Sequence, residues 1–140
     1  MPADLPGVRT LLKDLTAVID DREGLDIDAA VRNCRDLLNH ASSYSLVADR
    51  QGSVAGFIHF TVRQTIVHRG PSGLIDELIV AGEHRGRGVG RELVMAAVSE
   101  CRRIGCCEVE VSTERTNTEA AEFYRRCGFV ERGTVFEADL

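Results

Sequence analysis

The chain has 140 residues, of which 44% are apolar and 28% charged, and a formal net charge of −5. That length suits one domain over residues 1–140 with a proper core. The acidic balance argues against nucleic acid as a partner, which needs a basic face, and no apolar run reaches the roughly 18 to 20 residues that cross a bilayer.

The opening "MPADLPGVRT" lacks a basic segment followed by an apolar stretch, so a cytoplasmic location is the expectation. "DLPGVRTLLKDLTAVID" then sets Val8, Leu11, Leu12, Leu15, Val18 and Ile19 on one stripe at helical spacing. An acidic, glycine-broken connection, "DDREGLDID", leads to a second helix in "DAAVRNCRDLLNHA", with Ala30, Val31, Cys34, Leu37 and Leu38 on its apolar side. "SYSLVADR" and "SVAGFIHFTVRQTIV" are rich in β-branched and aromatic residues and meet at "DRQGS", which predicts an antiparallel hairpin running to Val67. The turn "VHRGPSG" feeds "GLIDELIV", a mostly apolar strand of the central kind.

Leu93, Val94, Ala97, Val98, Cys101 and Ile104 predict a helix that stops at Gly105. "CCEVEVST" alternates as a strand. "TNTEAAEFYRRCGF" predicts a short helix, opened by a Thr116/Glu119 capping box and closed by Gly128. "VERGTVFEADL" supplies a last hairpin or pair of strands. The order helix, helix, three strands, helix, strand, helix, strands makes an α+β domain, with a mixed, mostly antiparallel sheet flanked by helices.

Five cysteines, Cys34, Cys101, Cys106, Cys107 and Cys127, form no CxxC pair, and the adjacent two would make a poor metal site and a strained disulfide. Reduced packing thiols are expected. His40, His59, His68 and His84 lack metal-ligand spacing, so no metal is expected.

"LIDELIVAGEHRGRGVGREL", residues 74–93, departs from this ordinary pattern. A strand bearing Asp76 and Glu77 runs into Gly86, Gly88 and Gly90, interleaved with Arg85, Arg87 and Arg91. The first N–H groups of a helix lack intrahelical partners and carry roughly half a positive charge. Glycines let those amides approach an oxyanion, and arginines add forked donors. A phosphate-bearing ligand fits. A P-loop does not, because Arg91 and Glu92 follow Gly90 where Lys and Ser/Thr belong. A dinucleotide fingerprint fails too, since Arg91 stands three places after Gly88 and no βαβ unit surrounds the loop.

Residues 74–130 resemble the GNAT superfamily of acetyl-CoA-dependent N-acetyltransferases. "RGRGVG", Arg85 to Gly90, is similar to its Q/R-x-x-G-x-G/A signature, and "NTEAAEFYRRCGF" resembles its second motif. The resemblance implies a GNAT fold and acetyl-CoA as co-substrate. It implies that backbone amides from Arg85 through Gly86, Arg87, Gly88, Val89 and Gly90 to Arg91 hold the coenzyme pyrophosphate. Leu78, Ile79 and Val80 would bond the pantetheine arm as an added strand, beside a splay from "EVEVST". Asn117 would touch the coenzyme arm and Tyr124 would lie near the thioester sulfur.

Acetyl transfer to an amine needs a base for the ammonium, a donor for the oxyanion and a proton for the departing thiolate. Tyr124 is the candidate acid, because a phenol of pKa ~10 is protonated at neutral pH. Asp76 and Glu77 are the candidate bases. In a regular strand they point to opposite faces, so one misses the acceptor unless a bulge intervenes. Either could instead pair with an arginine. Asp20, Asp21, Glu23, Asp26 and Asp28 concentrate negative charge between the first helices, where the resemblance implies a wall of the acceptor site. That suits a cationic primary amine. A non-catalytic coenzyme A-binding or regulatory domain of the same fold is the alternative. Met1 falls almost directly on the first helix, so the family's usual first strand is missing or vestigial, and the bared sheet edge favours a homodimer.

Overall fold

A computed structural model describes residues 4–16 and 26–140. The elements in chain order are α1 (Leu5–Thr16), α2 (Ile27–Leu37), β1 (Ser43–Arg50), β2 (Ser53–Arg63), β3 (Ser72–Val80), a single 3-10 turn (Gly82–His84), α3 (Val89–Ile104), β4 (Glu108–Val111) and α4 (Thr118–Arg126). The four strands form one sheet in sequence order. β1, β2 and β3 pair antiparallel, and β4 joins β3 in parallel. β1 and β4 are the two edges of the described sheet.

Both faces of the sheet are covered because consecutive residues of β2 point to opposite sides. Ile58 and Phe60 pack under α3, against Val89, Leu93, Val94, Ala97 and Cys101. Phe57 turns the other way, into a second core with Ile79, Ala81, Val8, Leu11 and Leu12 of α1 and Val31 of α2. Each large apolar side chain so buried contributes roughly 1.5–3 kcal/mol. Asp26 caps α2, accepting from the Ala29 N–H at 3.0 Å.

The structure corrects the predicted boundaries at four places. β2 stops at Arg63, and Ile66 and Val67 lie fully exposed in the following loop. Arg63 pairs with Ser72, the first residue of β3, so nothing remains for residues 64–67 to pair with. β4 is shortened to Glu108–Val111. α4 is opened by Asn117 and not by Thr116, its side-chain oxygen accepting from the Ala120 N–H at 3.0 Å. Residues 130–140 form neither hairpin nor strand, and Val130, Val135, Phe136 and Leu140 stay exposed. Alternation alone does not make a strand where no buried face receives the apolar side chains. The cysteines are all free, but only Cys101 is buried and Cys107 is exposed.

Candidate active site

The site begins where β3 and β4 part. Their ladder runs from Ser72–Glu108 to Ile75–Val111 and goes no further. Past that point β3 continues alone on this side. The Ala81 N–H donates to the Ala55 carbonyl, toward β2, so by strand alternation the backbone groups of Leu78 and Val80 face away from β2. The Val80 carbonyl accepts from Arg85 Nε at 3.2 Å, which agrees with that direction. Ile79 faces β2 instead, opposite Phe57, and its side chain is core.

Below this free edge lies a cleft of about 630 Å³, lined by residues that include Leu78, Val80, Arg85, Gly86, Gly88 and Tyr124. Val89, Gly90, Arg91 and Asn117 line it too. Ile79 and Arg87 do not. Gly86 and Gly88 have φ of +73° and +83°, and a Cβ on either would meet nothing within 4 Å. Gly88 is also the N-cap of α3 and offers no side chain to its first turn. The helix therefore presents uncapped N–H donors to an open cradle, the arrangement that holds an anion. Asn117 spends its carbonyl oxygen on capping α4, which leaves its NH₂ available. These residues fit a pyrophosphate and its attached arm.

Tyr124 packs edge-on to Phe123 and Phe129, at ring-centroid distances of 5.0 and 5.6 Å. Burial, and secondarily Cys127, pushes its hydroxyl up to about 12. The phenol is therefore held in its proton-bearing form.

The carboxylates lie on the other face of β3. His59 pairs with Glu77 and Phe60 with Ile75, so Asp76 is an extra residue inserted opposite β2. This is a β-bulge, which re-aims a side chain. It overturns the opposite-face expectation for a regular strand and brings both carboxylates to one side. Glu77 Oε2 is 2.8 Å and Asp76 Oδ2 3.7 Å from His59 Nδ1. Thr61 donates its hydroxyl to the same Asp76 oxygen at 3.1 Å. Burial raises the pKa of Asp76, the Thr61 hydrogen bond opposes that shift, and Glu77 adds to it. Neither carboxylate pairs with an arginine among the described residues.

The sequence alone passed over His59. It is buried, with Ser43 Oγ 2.7 Å from its Nε2. Its legible signal was a lone histidine amid the apolar run "AGFIHFTV", opposite the strand that carries the carboxylates. Of the acidic connection, Asp26 caps a helix and Asp28 pairs with Arg9 at 2.5 Å. That arginine holds the Asp28 carboxyl below its ordinary range. Asp20, Asp21 and Glu23, like Val18 and Ile19 of the first stripe, fall outside the described residues.

The profile of the Acetyltransferase (GNAT) family matches residues 8–129. A mycothiol acetyltransferase of Arthrobacter sp. (strain FB24) is 34% identical over 118 residues, which are 81% of this chain and 33% of that protein. The chain thus spans about a third of that relative's length. A solved acetyltransferase-like chain from Agrobacterium tumefaciens str. C58 superimposes with a TM-score of 0.86 at 25% identity, covering 100% of this chain and 96% of that one. An aminoglycoside N-acetyltransferase in complex with CoA shares the fold, with a TM-score of 0.85 at 24% identity over 99% of this chain and 90% of the other.

Proposed function

This chain belongs to the GNAT acetyltransferase family, and from that premise we propose that it moves an acetyl group from acetyl-CoA to a primary amine. The acceptor is a small molecule or peptide amine that is cationic in solution, attacked directly in a ternary complex. One observation carries the proposal. The cleft with uncapped helix amides and the carboxylate pair flank the same short stretch of β3, where β4 has parted from it.

The roles follow from acid–base chemistry. The amides of α3's first turn and the loop at residues 85–91 bind the pyrophosphate, and Asn117 and the outward backbone groups of Leu78 and Val80 bind the arm. Glu77, half exposed, receives the acceptor as an ammonium and takes its proton, so that a free amine attacks the acyl carbon. Asp76 adds a second negative charge beside it. An outward strand N–H donates to the developing oxyanion. Tyr124 donates to the departing sulfur. The balance is one ammonium and one thioester in, with one amide, one thiol and one proton out. No protein nucleophile is required, and the buried Cys101 and half-buried Cys127 have thiols raised by burial, which disfavours the reactive thiolate.

A panel of amines tests the proposal: spermidine, kanamycin, a lysine-containing peptide and a neutral amino alcohol, each with acetyl-CoA and detection of free thiol. Turnover with preference for the cationic amines is expected. Acetyl-CoA binding without turnover of any amine would leave a coenzyme A-binding domain instead. Preference for an anionic acceptor would overturn the cationic assignment alone.

A further inference from the structure

Two adjacent carboxylates on one face of a strand repel each other and need a partner to hold them. The bulge at Asp76 creates that problem, and one side chain answers it. His59, on β2 and buried, puts Nδ1 within hydrogen-bond reach of Glu77 and 3.7 Å from Asp76. Its other nitrogen, Nε2, is 2.7 Å from the Ser43 hydroxyl of β1. We infer that His59 is a positioning residue that aims Glu77 at the acceptor, with Ser43 setting the imidazole tautomer that lets it do so. The inference rests on the reading of Glu77 as the base.

Hydrogen-bond chemistry fixes the directions. An ionised carboxylate only accepts, so Nδ1 carries the proton and donates it to Glu77 Oε2. With the ring protonated at Nδ1 alone, Nε2 carries the lone pair and accepts from the Ser43 O–H; a ring protonated at both nitrogens would instead donate to Ser43 Oγ. Ser43 stands opposite Thr61 in the β1–β2 ladder, and the Thr61 hydroxyl in turn holds Asp76. Three strands thus contribute two hydroxyls, one ring and two carboxylates to two adjoining hydrogen-bonded groups, Ser43–His59–Glu77 and Thr61–Asp76, which meet where His59 Nδ1 comes within 3.7 Å of Asp76. Among the described residues, α1 and α2 bring apolar or weakly polar side chains to this face. α2 brings Cys34, whose thiol is pushed up by burial and then by Glu77. α1 brings Val8, Leu11 and Leu12 to this core, and α3 lies on the opposite face. In that setting Glu77 swings freely unless the ring holds it, because its side chain is 51% exposed.

Four variants test the role: His59→Leu, His59→Asn, Glu77→Gln and the double variant His59→Leu/Glu77→Gln, assayed with the panel amine turned over fastest. Removing the ring should lower kcat/KM for the amine about 10- to 100-fold, by analogy with the loss when a hydrogen-bond partner that orients a metal-ligating side chain is removed. The KM for acetyl-CoA should not move. His59→Asn should recover most of the rate, because its amide nitrogen can replace Nδ1 as donor. The double variant should lose no more than Glu77→Gln alone, since a positioning residue has nothing left to position. Additive losses, or no recovery by Asn, would overturn the inference. A normal rate in His59→Leu with Glu77→Gln impaired overturns it while leaving the proposed function intact. A normal rate in Glu77→Gln removes the base assignment and the inference with it. Histidine ¹⁵N spectra of the substrate-free wild type give a readout that needs no acceptor. They should report the Nδ1–H tautomer at neutral pH, with its population reduced in Ser43→Ala. An Nε2–H ring at position 59 overturns the inference.

Discussion

Gly88→Val should cost far more coenzyme affinity than Arg87→Ala, although arginine is the residue that carries charge. Gly88 sits at φ +83° and ψ 3°, the left-handed region. A residue with a Cβ pays ~1–2 kcal/mol there, and a β-branched one is a true outlier. The loop then either keeps its shape under strain or abandons it. Strain of that size lowers the thermal midpoint by roughly 3 to 8 °C for a domain of this length. Abandoning the shape moves the first amides of α3 away from the pyrophosphate. One hydrogen bond to a charged group is worth about 1.5–3 kcal/mol, or roughly 10- to 100-fold in Kd. The Arg87 side chain is exposed and does not line the cleft. A solvated charge near a ligand contributes roughly 0–1 kcal/mol, at most about fivefold. Gly88→Ala is the control: its Cβ meets no protein atom within 4 Å, so it imposes the backbone strain with little bulk. Isothermal calorimetry with coenzyme A reads all three. A wild-type Kd in Gly88→Val, or a larger loss in Arg87→Ala than in Gly88→Val, refutes the reasoning.

Tyr124→Phe should lower kcat by about 10²- to 10⁴-fold with coenzyme A affinity intact, because the ring keeps its contacts and only the proton donor is lost. Because its hydroxyl is pushed up to about 12, Tyr124 stays protonated across the usual assay range. No alkaline fall in kcat should therefore be traceable to it, and a fall below pH 10 that vanishes in Tyr124→Phe would count against the assignment. Glu77→Gln should impair kcat/KM more than Asp76→Asn, since Glu77 is the more exposed and Asp76 is already engaged by Thr61; equal losses would mean the two act as one unit. Asp76 also has a signature in stability. Its pKa is raised on folding, so the folded state binds its proton more tightly than the unfolded chain does. Stability is therefore lost as pH rises from the ordinary carboxylate range through the folded pKa. Asp76→Asn should remove that part of the decline, and parallel midpoint-versus-pH curves for the two proteins would contradict it.

The proposed coenzyme half of the site rests on features of residues 74–128 that were legible in the sequence because they are local. Glycines at positive φ, a helix start without a side-chain cap, and a Phe-Tyr pair on the next helix are all properties of short segments. The same locality explains the helices, whose apolar stripes repeat within one element, and the central place of β3. What failed was whatever depended on a partner. Residues 64–67 and 130–140 have strand-like composition, but a strand exists only where another strand or a buried face receives it. Thr116 and Asn117 are both good caps, and where α4 begins chose between them.

The arrangement of the proposed acceptor half depends on tertiary structure. Sequence determined that two carboxylates stand side by side on a strand, and the alternation of side chains then argued that they part. Register across β2 reversed that conclusion, because one extra residue opposite His59 turns both to the same face. His59 itself had no motif to mark it, being one histidine in an apolar strand. Only the pairing of β1, β2 and β3 sets its two nitrogens between Ser43 and Glu77. A hydrogen bond between strands 18 residues apart is a property of the ladder's register, and no local pattern in the chain encodes it.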